Sequence, residues 1–121
     1  MKPRRCKHST DLDLFIEFPA TKTHLANLLG VARSTLCTWE NIAFWRIESF
    51  RNAYPKAYDG TIDRESPLSP YQAWVLSRVG RLMAQLRRSE RVKGYILKNQ
   101  HDFSRYRYQQ AFQQIQLKKG A

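Results

Sequence analysis

The sequence predicts a mainly α-helical chain with a small β wing. Three observations carry that expectation. Residues 25–39 hold apolar residues, a small residue and a glycine at the spacing of two short crossing helices. Residues 69–86 open on a helix-start signal and continue with apolar residues at helical intervals. Between them, Tyr58-Asp59-Gly60-Thr61-Ile62 sets an Asp-Gly turn among β-favouring residues.

In chain order, Met1 to Thr10 reads as a basic flexible arm. From Asp11 to Phe18, Leu12, Leu14, Ile16 and Phe18 share one parity while Asp11, Asp13 and Glu17 take the other, which predicts a half-buried strand. Thr21 is an N-cap for the first helix, with Pro19 just upstream. Ala26 is the small residue where two crossing helices touch. Gly30 stands where that helix should stop, because the turn needs a residue that accepts positive φ. Leu25, Leu29, Val31, Leu36 and Trp39 close the angle from both sides. The second helix begins near Arg33, behind Ala32, which has no side-chain acceptor, so its capping is weak. The unit reads as a helix-turn-helix, against the blander alternative of a structural helical hairpin.

Residues Ile42 to Tyr54 are rich in aromatics, with Phe44, Trp45, Phe50 and Tyr54, and fit a third short helix or a wing strand. Tyr54-Pro55 ends either one. The Asp-Gly turn then forms the tip of a wing hairpin. Ser69 as N-cap, Pro70 at the first helical position and Gln72 in a capping box start the next helix. Tyr71, Trp74, Val75, Val79, Leu82, Met83 and Leu86 give it a core-facing stripe. A further helix covers about Glu90 to Lys98, continuous with the last or broken near Ser89. Asp102 caps a final helix whose apolar residues, Phe103, Tyr106, Phe112 and Ile115, stand among glutamines; that single seam predicts a partner helix. The expected organisation is a basic arm over 1–10, a winged helix-turn-helix domain over 11–100 and a C-terminal dimerisation helix over 101–119.

The chain has 121 residues, which suits one compact domain. Its formal net charge is +11, divided as +3 over residues 1–60 and +8 over 61–121. Both halves favour a polyanionic partner, whether DNA, RNA or an anionic surface, with simple solubility as the plain alternative. No apolar run approaches the length of a membrane span. The N-terminus lacks the apolar core of a secretory signal, so a cytoplasmic location is the default. Cys6 and Cys37 are too few for a disulfide framework, and Cys6-Lys7-His8 is not a zinc spacing. No metal or other cofactor is expected. His8, His24 and His101 are scattered, and neither a nucleophile–base pair nor a phosphate-binding glycine loop is visible, so catalysis is not expected.

A helix-turn-helix lays its second helix in the DNA major groove. The outward positions of that helix are Arg33, Ser34, Cys37, Thr38 and Asn41. Arg33 suits guanine and Asn41 suits adenine, each through two hydrogen bonds, while Thr38 and Cys37 suit thymine methyls. The alternative for each is a phosphate contact or a solvated polar residue. Lys22, Arg46, Arg51, Lys56 and Arg64 are candidate phosphate contacts, and Tyr58 at the wing can reach the backbone or minor groove. Arg78, Arg81 and Arg88 form one row, and Arg87, Arg91 and Lys98 a second, facing DNA or solvent.

The stretch Leu28-Leu29-Gly30-Val31, followed by Thr35-Leu36-Cys37-Thr38-Trp39-Glu40, resembles the N-terminal domain of MerR-type transcription regulators. Weaker similarity extends over residues 21–119, and only 25–40 is specific. The chain departs from the family's pattern after Trp39-Glu40, where Asn41-Ile42-Ala43-Phe44-Trp45 replaces a Gly-Leu-Ile element and a proline. The family's sensor cysteines beyond the dimerisation helix have no counterpart. The resemblance implies a sequence-specific regulator of double-stranded DNA, a small effector-independent repressor of the kind that accompanies mobile elements. It would bind an inverted repeat as a homodimer, without a small-molecule effector or a membrane. Two other classes stay open: an RNA-binding or ribosome-associated basic protein, and an excisionase-like recombination accessory that bends DNA.

Overall fold

A computed structural model describes residues 13–120, and side chains as far as 115. The expected arm over 1–10, with Cys6 and His8, lies outside the described residues, as do Asp11 and Leu12. The described chain is mainly helical: α1 (Lys22–Leu29), α2 (Arg33–Arg46), α3 (Glu48–Asn52), α4 (Pro70–Leu86), α5 (Ser89–Lys98), a 3-10 turn (Gln100–Phe103) and α6 (Arg105–Gly120).

The local signals set the helix starts as expected. Thr21 Oγ1 accepts from the His24 N–H at 3.1 Å and caps α1. Gly30 ends α1 at φ 73°, a left-handed conformation that L side chains rarely adopt. Ala32 precedes α2 and gives it no side-chain cap. Ser69 and Gln72 close a reciprocal capping box around Pro70 at the start of α4.

Helix α4 is the centre of the molecule. Seven consecutive residues, Tyr71 to Ser77, are buried, so its first half is covered on every side rather than along one stripe. Helices α2, α3, α5 and α6 all pack against it. The polar groups this buries are partnered. Gln72 donates to the Phe50 carbonyl at 3.2 Å and accepts from the Ser69 N–H at 2.9 Å. The Tyr71 hydroxyl donates to the Phe103 carbonyl, which can only accept, so Ser49 donates to Tyr71. Gly80 lets α2 approach: a Cβ there would lie 2.6 Å from the Trp39 ring.

Several expectations are corrected. Residues 13–18 form no strand. Leu14, Phe15 and Ile16 all pack on the core, so neighbours in sequence face the same body and the parity pattern has no sheet to serve. The Leu14 N–H bonds to Ser77 Oγ at 3.2 Å instead of a ladder partner. Of the two alternatives for residues 42–54, the helix is found: 42–46 complete α2, Ile47 is extended, and 48–52 form α3. Neither Gly nor Pro interrupts the chain from Val31 to Tyr54, and Ile42, Ala43, Phe44, Ile47, Phe50 and Tyr54 are all buried at helical intervals. The expected wing is a turn-closed loop: Lys56 and Ile62 make one isolated bridge, Ala57 N–H donates to Thr61 O at 2.7 Å, and Gly60 turns the tip at φ 89°. No strand forms among the described residues. Arg87 breaks α4 from α5 at φ 68°, a left-handed cap occupied by a non-glycine residue. Ser104, not Asp102, caps α6, accepting from the Arg107 N–H at 3.1 Å, while Asp102 lies in the 3-10 turn.

Helix α6 is tied down by its own first half. The Tyr108 ring packs on Trp74 and Tyr71 at centroid distances of 5.4 and 5.7 Å, and on Phe15 and Phe112 at 5.9 and 6.3 Å. Phe103 is 1% exposed and belongs to the core, so it is unavailable to a partner subunit. Tyr106 (70%) and Phe112 (37%) keep outward surface, and Ile115 is half-buried.

Candidate nucleic-acid interface

Helix α2 has two faces with different chemistry. Leu36, Trp39, Ile42 and Ala43 point into the core. Ser34, Thr38, Asn41 and Trp45 fall at i, i+4, i+7 and i+11, which is one narrow stripe on a helix of 3.6 residues per turn. All four are exposed, and Arg33 stands exposed in the first turn beside them. Cys37 lies between Arg33 and the stripe and is half-buried as a free thiol. Thr38 Oγ1 donates back to the Ser34 carbonyl at 3.2 Å, which leaves its lone pairs and methyl group outward. Asn41 Oδ1 accepts from the Trp45 indole at 3.2 Å.

The stripe borders a concavity of about 270 Å³, lined by Thr38, Asn41, Trp45 and Arg46 from α2 and by Ser89 and Lys93 from the start of α5. The polar stripe thus has cations on its flank. Trp45, Ser89 and Lys93 were not singled out from the sequence as interface residues. Trp45 follows the outward spacing of the other three and was legible in principle. Lys93 is brought in from a distant helix, and no local signal marks it.

The candidate phosphate contacts divide. Arg46 is half-buried and lines the concavity, its guanidinium near the Ile42 carbonyl at 3.4 Å. Lys56 and Tyr58 are exposed on the 56–62 loop, Tyr58 completely so. Lys22, Arg51 and Arg64 are half-buried and engaged with groups of the protein itself, which competes with a phosphate contact. Arg51 donates to the Phe44 carbonyl at 2.9 Å. Arg64 pairs with Glu40 at 3.0 Å and lies 3.9 Å over the Phe44 ring. Lys22 approaches Glu40 at 3.8 Å, with 14% of its side chain exposed.

Glu40 is the reason for Lys22 and Arg64. It is 3% exposed on the inner side of α2. A buried carboxylate needs partners, and it gathers Arg64, Lys22 and the Tyr54 hydroxyl. Burial and the Glu40 carboxylate push the Tyr54 phenol far above its ordinary pKa, so it stays a proton donor to Glu40. This cluster fastens α1 and the 53–69 segment to α2.

A second cluster absorbs part of the first arginine row. Arg78 and Arg81 both pair with Asp13, which also accepts from the Trp74 indole at 3.0 Å. Arg78 donates on to the Asp102 carbonyl at 3.1 Å. Burial alone would raise the Asp13 pKa; the Arg78 charge and hydrogen bond, with Arg81 and Trp74, hold it below the ordinary carboxylate value. Arg87, Arg88, Arg91 and Lys98 remain exposed.

Among the described residues, no three of His, Cys, Asp and Glu come together as a metal site. No described helix is long and apolar enough to cross a membrane. No known family model, characterised protein or solved structure matches this chain.

Proposed function

We propose that this chain is a sequence-specific double-stranded DNA-binding regulator, a repressor that occupies an inverted-repeat operator as a homodimer. One observation carries the reading. The outer face of α2 is a polar stripe, free of the protein's own body, with Arg33 at its start and Arg46 and Lys93 along its flank. A short helix of about 12 Å overall diameter fits the major groove, polar side chains read base edges, and flanking cations neutralise phosphates. The resemblance of residues 25–40 to MerR-type regulators supports the same reading. In it, the 56–62 loop takes the wing's role, with Lys56 and Tyr58 reaching the backbone, and no effector or cofactor is required.

Dimerisation rests on the outward side of α6, where Tyr106 and Phe112 keep apolar surface. The test is selection of binding sites from a random duplex pool, with sedimentation analysis of the free protein. A palindromic selected site and a dimer are expected, and Arg33→Ala should cost about 1–3 kcal/mol and relax one base position. A monomer that selects no consensus refutes the reading.

RNA binding is a second reading, favoured by the exposed rings of Trp45 and Tyr58, which offer stacking faces to unpaired bases. Competition between the selected duplex and unstructured RNA at moderate salt separates the two.

A further inference from the structure

Resting on the DNA reading, we propose that Trp45 is a positioning residue for base recognition, whose indole N–H holds the Asn41 carboxamide in the orientation that reads adenine. The indole Nε1 is a donor only, and it lies 3.2 Å from Asn41 Oδ1. Only one of the two amide orientations satisfies that donor. The oxygen is therefore fixed on the Trp45 side, with one lone pair still open, and the two Nδ2 hydrogens are left unspent.

The indole is itself held. Its ring stands edge-on to Phe44, centroids 5.0 Å apart and planes at 83°, and Phe44 is 5% exposed. Trp45 nevertheless leaves 62% of its own surface outside. The ring's packing on Phe44 is therefore partial, while its one polar group is spent on its neighbour along the outward stripe. Because the two residues are four apart on one helix, the bond forms before DNA arrives, and Asn41 loses less freedom on binding.

The chemistry then discriminates. In the major groove adenine presents an acceptor, N7, beside a donor, the N6 amino group. Guanine presents two acceptors, N7 and O6. A carboxamide with a fixed oxygen and nitrogen matches the first pair, and its oxygen meets O6 of the second unfavourably. An unrestrained asparagine can swing its oxygen away from O6 and donate to guanine through Nδ2 alone. Trp45 closes that route.

The test compares wild type, Trp45→Phe, Asn41→Ala and the double variant. Each is taken through selection from a random duplex library, then titrated against the wild-type site and its single-base variants. Phenylalanine keeps a ring on Phe44 and removes the donor, and the exposure of Trp45 makes loss of folding avoidable; circular dichroism of each variant checks it. Trp45→Phe should lower the preference for adenine over guanine about fivefold or more at one position. That position should be the one Asn41→Ala also alters, and Trp45→Phe should change nothing further in the Asn41→Ala background. A uniform loss on every duplex with the preference intact would overturn the proposal, because Trp45 would then touch DNA directly. An unaltered selected site for Trp45→Phe, beside normal wild-type selection, overturns this proposal alone. A wild-type protein that selects no site overturns the DNA reading and this proposal with it.

Discussion

The same substitution, glycine to alanine, should act with opposite sign at two helical positions of this chain. At Gly80 in α4, a Cβ would stand 2.6 and 2.7 Å from Trp39 Cζ3 and Cη2 and 3.2 Å from Cε3. Carbon atoms pack best at about 3.5–4.0 Å, so the indole or the helix must retreat by roughly 1 Å. Trp39 has little room to do so, because it is 9% exposed and its helix neighbours Leu36, Ile42 and Ala43 are buried. Overpacking costs about 1–3 kcal/mol. Alanine gains about 1 kcal/mol over glycine in a helix interior. Gly80→Ala should therefore lose up to about 2 kcal/mol of net stability. At Gly94 in α5, nothing lies within 4 Å of the new methyl group. Only the propensity gain remains there, so Gly94→Ala should add about 0.5–1 kcal/mol. Urea unfolding followed by far-UV circular dichroism measures both, with unchanged slopes as the check that stability alone has moved. A Gly80→Ala protein stabilised as much as Gly94→Ala would refute the close approach of α2 to α4. On the proposed DNA-binding reading, Gly80→Ala should also weaken duplex binding, because Trp39 lies behind the outward stripe.

Two further outcomes follow from the buried clusters. Arg64→Ala leaves Glu40 with Tyr54 and a distant Lys22; it should cost about 2–4 kcal/mol, short of a fully unpaired buried charge. A loss under about 0.5 kcal/mol in urea unfolding would put this pair among ordinary surface ion pairs. Asp13 has a folded-state pKa below its ordinary 3.8, so its contribution is present above that value and disappears as pH falls through the lower, folded one. Asp13→Asn should thus be less stable than wild type at neutral pH, with the gap closing below about pH 4. A gap independent of pH would mean that the charge of Asp13 is not what binds Arg78 and Arg81.

What the sequence made legible was local. Thr21, Gly30 and the Ser69-Pro70-Gln72 start work through backbone groups within a few residues, so residue type and offset suffice to read them. The length of α2 was not readable this way. Its continuation past Asn41 is decided by burial of Ile42, Ala43 and Phe44 against other elements. The apparent strand before Pro19 misled for a related reason. Leu14 and Ile16 are half-buried against the core with no sheet beside them, and Phe18 is 74% exposed. Charge was the least legible feature, because a basic residue does not announce its partner. Arg64 meets Glu40 across 24 positions and Arg78 meets Asp13 across 65. Only the folded arrangement separates such structural cations from Arg33 and Lys93, which face outward or line the concavity. At the candidate site, Ser34, Thr38 and Asn41 followed from periodicity alone, while Lys93 required the packing of α5 beside α2.

The contact of Tyr108 with Trp74 and Tyr71 bears on how subunit association can be dissected. The segment expected to pair two copies is also a lid over the centre of its own subunit. A chain shortened ahead of Tyr108 would strip that cover from two aromatic rings, and its behaviour would report damaged folding along with lost pairing. Changes confined to the outward atoms of Tyr106 leave the cover intact, and so offer the cleaner route to a separated, still folded, single copy.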